Sequence, residues 1–169
     1  LVMSYKGPKI RIMEVCGTHT HEIFRLGIRK LLSHHMELVS GPGCPVCVTP
    51  VAFIDEALWL AQKRGVTVCT FGDLLRVPGS SETLSEARAR GADVRVVYSP
   101  YDAYEYAAAN KDKEVAFLAV VFETTTPGAC IAVAAAASDR LTNFSLLTAN
   151  KTMPQAYEAM RGSCDAFLY

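Results

Sequence analysis

Short β-branched, apolar runs alternate along the chain with stretches in which apolar residues recur at helical spacing. The runs predict strands over residues 10–15, 37–39, 66–70, 94–97, 115–121, 144–147 and 166–168. The helical spacing predicts helices over residues 21–32, 51–63, 81–90, 100–110, 127–138 and 153–160. Near-continuous apolar strands that alternate with helices are typical of parallel sheets. We therefore predict an α/β fold of Rossmann-like type, built from repeated strand–helix units.

The polar stretch 110–114 is the best candidate for a domain boundary. It divides the chain into two predicted α/β domains, residues 1–110 and an incomplete second domain of residues 111–169. Ser99 followed by Pro100 predicts a helix start, since serine caps helices and proline suits the first helical position.

The composition of the chain argues against several classes of protein. The chain has 169 residues, of which 17 are basic and 17 acidic, and half are hydrophobic. This favours a folded core over disorder and gives no reason to expect nucleic acid or a membrane surface as partner. The apolar runs are too short to span a bilayer. The six cysteines are not spread as disulfide staples, so we predict a cytoplasmic protein with mostly reduced thiols.

The unusual residues follow predicted strands. Cys-Gly-Thr-His-Thr at 16–20 follows the first strand and Gly-Pro-Gly-Cys-Pro-Val-Cys at 41–47 the second; Phe-Gly-Asp at 71–73 and Glu-Thr-Thr-Thr at 123–126 follow later ones. Ligands of open parallel sheets bind outside the carboxyl ends of the strands. These segments are therefore the candidate site, provided that strand order brings them together.

Cys44 and Cys47 form a CxxC motif, which occurs in zinc sites, in redox dithiols and by chance. A zinc site needs a second pair of ligands at suitable spacing, and Cys16 with His19 or His21 lacks the usual finger arrangement. We favour a dithiol or disulfide, because Cys47 precedes a predicted helix start, where a thiolate is stabilised.

Cys16 is either a thiol packed in the core or a functional thiol that binds a ligand or reacts. The polar residues Thr18, His19 and Thr20 that follow it favour chemistry, although either threonine can cap the following helix. A thiol and an imidazole three residues apart at a strand end are suitable soft-metal ligands.

The remaining candidates have structural alternatives. Asp73 and Glu123 are site candidates by position, or simply acids at helix starts. Cys69 and Cys130 are predicted to lie in the core. A hydrolase with a Cys16 or Cys44 nucleophile has the residue types but no legible oxyanion hole, and no phosphate-binding loop motif is present.

Four ordered stretches resemble the signatures of one family: MEVCGTHTHEI, ELVSGPGCPVCVTP, TFGDLLRVPGS and FETTTP. They are similar to those of HypD, a maturation protein for NiFe-hydrogenases. The resemblance covers nearly the whole chain from about residue 10.

The resemblance implies a scaffold that holds iron while two cyanides and a carbon monoxide are attached, giving Fe(CN)2CO. The implied partners are a HypC-like chaperone, a HypE-like cyanide donor and, indirectly, the hydrogenase large subunit. Cys16 would ligate the iron, His19 would support it, and Cys44 and Cys47 would be the redox pair. Thr18, Thr20, Asp73 and Glu123 would line the site around the iron-bound cyanides.

The chain also departs from the family. Its members are about twice as long and carry four cysteines for a 4Fe–4S cluster, which we expect to be absent from this chain. Val121 and Asn150 stand where glycine and histidine are common. The sequence therefore leaves three functions open: an iron scaffold more than a conventional enzyme, a thiol–disulfide oxidoreductase, or a truncated interaction module.

Overall fold

The computed structural model describes residues 2–168, except the side chains of Val2 and Thr18. The described strands form two sheets, one of three and one of four strands, and all their pairings are parallel. Helices follow most of the strands. The predicted α/β fold with parallel sheets is confirmed.

The chain folds as two compact units. The first comprises Leu1–Cys44 with Met153–Tyr169, and the second comprises Pro45–Thr152. The predicted boundary at residue 110 falls inside the second unit, because Val68, before it, pairs with Ala116, after it, in one sheet. Sheet pairing rather than local polarity decides where the units divide.

The first unit is built on a three-stranded sheet in the order β2-β1-β7. Its strands are β1 (Ile10–Glu14), β2 (Met36–Ser40) and β7 (Ala166–Leu168), and its α-helices are α1 (Gly17–Arg25) and α6 (Pro154–Ala159). The first helix was predicted over residues 21–32, but it begins earlier and ends earlier. Gly27 ends it, with a left-handed backbone at φ 63° that residues other than glycine rarely adopt.

The second unit holds a four-stranded sheet in the order β4-β3-β5-β6. Its strands are β3 (Thr67–Thr70), β4 (Val94–Val96), β5 (Val115–Ala119) and β6 (Phe144–Thr148). Its α-helices are α2 (Val51–Lys63), α3 (Leu84–Ala89), α4 (Pro100–Ala109) and α5 (Thr126–Ser138).

The core of the second unit lies on both faces of its sheet. Ile54 of α2 belongs to one buried cluster with Leu118 of β5, and Ala103 of α4 belongs to another with Phe117. Because neighbouring residues of a strand point to opposite faces, β5 is buried along its whole length. The predicted cap is confirmed, since the Ser99 hydroxyl accepts a hydrogen bond from the Asp102 amide at 3.1 Å.

The lengths of the helices show whether any of them could cross a membrane. The longest helices in residues 2–168 have 13 residues, whereas crossing a bilayer takes about 20. Within that range no helix is a candidate membrane span.

Candidate functional site

Cys16 is the residue at which β1 gives way to α1. It occupies the N-cap position with an extended backbone (φ −159°, ψ 130°), and its thiol is free and partly buried. Among the described residues the thiol makes no capping hydrogen bond to the helix. The site therefore presents a cysteine where helices usually place serine, threonine, aspartate or asparagine.

The residues after Cys16 were predicted to form a loop, but they form the first turns of α1. His19 is exposed there. Thr20 does not cap the helix: it lies inside it, and its hydroxyl donates to the Cys16 carbonyl oxygen at 3.2 Å. Serine and threonine inside helices often bond back one turn in this way. The side chain of Thr18 lies outside the described residues.

The segment after β2 packs directly against the end of β1. The Gly41 amide donates to the Glu14 carbonyl oxygen at 2.7 Å, which extends the contact of the two strands by one residue. At Gly43 an added Cβ would overlap the Val15 carbonyl oxygen and lie 3.1 Å from the Cys16 nitrogen. Only glycine fits there, so this approach fixes the start of the CxxC motif beside Cys16.

Cys44 follows Gly43, and its sulfur is bonded to that of Cys47 in a disulfide. Cys44 is partly buried and Cys47 is exposed. The Thr49 hydroxyl donates to the Pro45 carbonyl oxygen at 2.8 Å, which supports the turn between them. A redox role for this pair stays a prediction.

A buried carboxylate, that of Glu14, lies two residues before Cys16, outside the residues predicted to form the site. Glu14 has 0% of its surface exposed. Its Oε1 accepts hydrogen bonds from the Arg29 guanidinium at 2.8 Å and from the Ser40 hydroxyl at 2.7 Å. The only signal in the sequence was an acid at the end of a mostly apolar strand, where charged residues are rarely buried unless paired.

Metal ligation was predicted for Cys16 and His19. Within residues 2–168, no group of three or more His, Cys, Asp or Glu side chains is arranged to hold a metal ion. Cys16 and His19 lie three residues apart at the start of α1. Iron ligation by this pair stays a prediction.

Asp73 and Glu123 belong to the second unit. Asp73 is exposed in the 3-10 helix Gly72–Arg76, which follows β3. Glu123 is partly buried and follows β5, the parallel neighbour of β3. In the order β4-β3-β5-β6 the chain reverses its direction across the sheet between β3 and β5, and such reversals are where open α/β sheets bind ligands. Both acids thus follow the carboxyl ends of β3 and β5, where a sheet of this order usually binds ligands.

An open groove of about 500 Å³ adjoins Glu123 in the same unit. It is lined by Glu123, Thr126, Pro127, Cys130, Asn150, Lys151 and Thr152. Cys130 is exposed, so its prediction as a core residue was wrong: it lies on the outer face of α5. Cys69 is confirmed as a core residue, and burial raises the pKa of its thiol to about 11.

Comparison with known proteins identifies the family. The HypD family model, described as the hydrogenase formation hypA family, matches residues 2–168. The chain belongs to the HypD family. It is 49% identical over 151 residues to the hydrogenase maturation factor HypD of Rhodobacter capsulatus, covering 89% of this chain and 40% of that protein.

Two further HypD proteins are similar to the chain over most of its length. Identity is 46% over 157 residues with HypD of Azotobacter vinelandii, covering 92% of this chain and 41% of the relative. It is 44% over 171 residues with HypD of Escherichia coli K12, covering 98% and 46%. The chain thus spans less than half the length of these HypD proteins.

Proposed function

We propose that this HypD-family chain is the iron-holding part of a hydrogenase maturation scaffold. In this proposal Cys16 ligates an iron ion that is cargo, on which the Fe(CN)2CO unit of NiFe-hydrogenase is assembled. The proposal is supported by the names of the relatives, which are hydrogenase maturation factors. Thiolate is a suitable soft donor to such an iron, and His19 would support it as a second ligand.

The observation that carries the proposal is the approach of Gly43 to the Val15–Cys16 peptide. This contact joins two of the stretches that resemble the family. It keeps the backbone of Cys16 beside Gly43, with Cys44 one residue further on. A packed core thiol would need no such arrangement, and Cys16 is only partly buried.

Cys44 and Cys47 would serve the iron site as a redox pair. Their disulfide takes up two electrons and two protons on reduction to the dithiol, and returns them on oxidation. The exposure of Cys47 supports this role, because a redox partner needs access to one sulfur.

Polar side chains of the first turns of α1 would hold the ligands of the iron. We assign this role to Thr18 and Thr20, whose hydroxyl groups suit contacts with cyanide nitrogens. The same role for Asp73 and Glu123, which belong to the second unit, stays a prediction. The implied partners are a HypC-like chaperone with a second cysteine ligand, a HypE-like cyanide donor and the hydrogenase large subunit. A reducing compartment, the cytoplasm, would keep Cys16 as a thiol.

Infrared spectroscopy tests the proposal. The full chain is purified anaerobically with a HypC partner after co-expression with the other maturation proteins. We expect stretching bands of iron-bound cyanide and carbonyl, which Cys16→Ala abolishes and Cys164→Ala, a change of another free cysteine in the first unit, leaves in place. Bands of parental intensity in Cys16→Ala would show that the iron ligand is wrongly assigned.

A thiol–disulfide oxidoreductase is the second candidate, favoured by the disulfide between Cys44 and Cys47. Equilibration in glutathione buffers, followed by acid trapping and mass spectrometry, measures its reduction potential. A reversible transition between dithiol and disulfide, together with turnover of a small disulfide substrate, would support this function. A pair that cycles without turnover would leave only the redox role at the iron site.

A further inference from the structure

The carboxylate of Glu14 connects three segments of the first unit, one of which leads into Cys16. Glu14 is the last residue of β1, Ser40 is the last residue of β2, and Arg29 lies in the 3-10 helix Ile28–Leu31 that follows α1. Both Arg29 and Ser40 donate to the same oxygen, Oε1. The chain therefore leaves this cluster at Glu14, passes through Cys16 and α1, and returns to it at Arg29.

The backbone of Glu14 binds the other segment of the site. Its carbonyl oxygen accepts the Gly41 amide at 2.7 Å, immediately before Gly43 packs on the Val15 carbonyl. Side chain and backbone of one residue thus hold the departure points of both cysteine-bearing segments. A shift of Glu14 would move Cys16 and Cys44 relative to each other.

The second carboxylate oxygen argues against a purely structural role. Oε2 of Glu14 is buried and accepts no hydrogen bond from any residue that the structure describes. A buried acceptor without a partner costs free energy, and replacing a buried ion pair by apolar side chains is often neutral or stabilising. An apolar side chain at this position would avoid that cost, so we explain the carboxylate by the segments that it holds together through Oε1.

We infer that Glu14 is a positioning residue of the thiol site, which holds Cys16 in register with the Gly41–Cys44 segment through Arg29 and Ser40. Glu14 contacts neither cargo nor sulfur in this role; it acts through the backbone on either side. The inference rests on the proposed function only in taking Cys16 as the working thiol.

The same pair of strands offers a matched control at its other end. Arg11 of β1 and Glu37 of β2 are register partners and form an ion pair at 3.3 Å. Their side chains are 50% and 42% exposed, whereas that of Glu14 is fully buried. Glu37→Gln therefore removes the same charge from the same sheet at the end opposite to Cys16 and Cys44. Because Glu37 and Cys164 line one surface pocket, the Cys16 rate of this variant is compared directly with that of the parent.

The first test is the labelling rate of Cys16 in the folded full chain, read by mass spectrometry with Cys164 of the same unit as the internal reference. In Glu14→Gln we expect Cys16 to be alkylated about tenfold faster, because local opening controls access to partly buried groups. The rate at Cys164 should stay within about twofold of the parent. Glu37→Gln should leave the Cys16 rate unchanged.

Two results would overturn the inference. An unchanged Cys16 rate in folded Glu14→Gln means that the carboxylate does not position the thiol. An equal acceleration of Cys16 and Cys164 means that Glu14 only stabilises the unit as a whole.

A second variant guards against failure to fold. Glu14→Met combined with Arg29→Met removes both charges and leaves no lone buried ion. We expect it to unfold at a denaturant midpoint close to the parent while Cys16 is still labelled faster than in the parent. Parental labelling of Cys16 in this folded double variant would contradict a positioning role.

Anaerobic titration with Fe²⁺ alone separates the inference from the proposed function. If the parent binds Fe²⁺, Glu14→Gln should weaken binding about tenfold, whereas Glu37→Gln should not. If the parent does not bind Fe²⁺, the iron assignment of Cys16 fails. The labelling ratio of Cys16 to Cys164 then still decides whether Glu14 positions the thiol.

Discussion

The two units of the chain differ in what they bury. In the second unit, β5 is buried along its whole length between two apolar clusters. In the first unit, β2 is partly exposed and β7 is mostly exposed, while the charged Glu14 is fully buried. Apolar burial is the main source of folding stability, whereas a buried ion pair is weak evidence for stability. The second unit therefore has the larger apolar core, and the first unit has a buried ion pair two residues from Cys16.

The helix starts show the same contrast on a smaller scale. Helix α4 begins with a capping box of Ser99 and Asp102, and α3 begins with one of Thr83 and Glu86. Helix α1 begins at Cys16, whose thiol makes no capping hydrogen bond in the described part of the chain. A position worth about 1 kcal/mol to a helix is thus occupied by a thiol that does not cap it.

The largest effect should come from the core of the second unit. Phe117→Ala removes a side chain that is 0% exposed, and we expect the free energy of unfolding to fall by about 3–5 kcal/mol. Urea denaturation followed by circular dichroism measures it. Phe24→Ala in α1, where the ring is 74% exposed, is the control and should change stability by less than about 0.5 kcal/mol. Similar losses in both variants would refute the assignment of the core.

A smaller but more local loss should follow from Gly43→Ala. Its Cβ would meet the Val15 carbonyl oxygen, so the backbone must move, at a cost of about 1–3 kcal/mol. Cys16 should be alkylated faster in the native state. Gly17→Ala is the control, because an added Cβ there would meet no atom of the described chain within 4 Å. If Gly43→Ala matches Gly17→Ala in stability and in labelling, the two segments are not held together as described.

The cap of α4 is expected to contribute about 1 kcal/mol, which Ser99→Ala removes. The loss can be measured as a shift of the denaturation midpoint at constant slope. Thr125→Ala is the control, because Thr125 makes no side-chain capping bond at α5 within the described residues. An equal shift in both variants would argue against the capping box.

The same cap predicts a dependence on pH. The Ser99 hydroxyl, followed by the Tyr98 amide, lowers the pKa of Asp102 below its usual value. A carboxyl whose pKa is lower in the folded state stabilises the protein above its unfolded pKa of about 3.9, and that stability is lost as pH falls through the folded pKa. Ser99→Ala should therefore lose less stability between neutral and acidic pH than the parent. A steeper acid dependence in the variant would contradict this sign.

The smallest effect is a gain. Cys16→Ser places a hydroxyl at an N-cap whose extended backbone suits capping, and we expect stability to rise by about 0.5–1 kcal/mol. Thermal unfolding measures the change, with Cys164→Ser as the control. A loss of stability in Cys16→Ser alone would show that the thiol serves packing after all.

Much of the fold could be predicted from the sequence, because its strands are apolar runs bounded by turns. Val115–Ala119 is an example. The start of α1 could not be predicted, because residues 16–21 contain no apolar periodicity, although the helix begins at Gly17. The predicted boundary at residue 110 lies inside the second unit, because strands before and after it pair in one sheet and local polarity does not reveal that pairing.

Some residues of the candidate site could be singled out from the sequence. Cys16, Cys44 and Cys47 stood out as unusual residues, and the roles that the resemblance implies for them stay predictions. Glu14, Arg29 and Ser40 did not stand out, because their cluster joins residues 15 and 26 positions apart that meet only when β1 pairs with β2. The requirement for glycine at position 43 could not be predicted either, because it depends on the close approach of the Val15 carbonyl.

The most direct test of the central claim is anaerobic Fe²⁺ binding by the reduced full chain, compared between the parent, Cys16→Ser and Cys164→Ser. We predict one bound iron per chain in the parent and in Cys164→Ser. We predict loss of that iron in Cys16→Ser, although this variant is folded and at least as stable as the parent. Undiminished iron binding in folded Cys16→Ser would contradict the claim that the first unit is built around a metal-binding thiol.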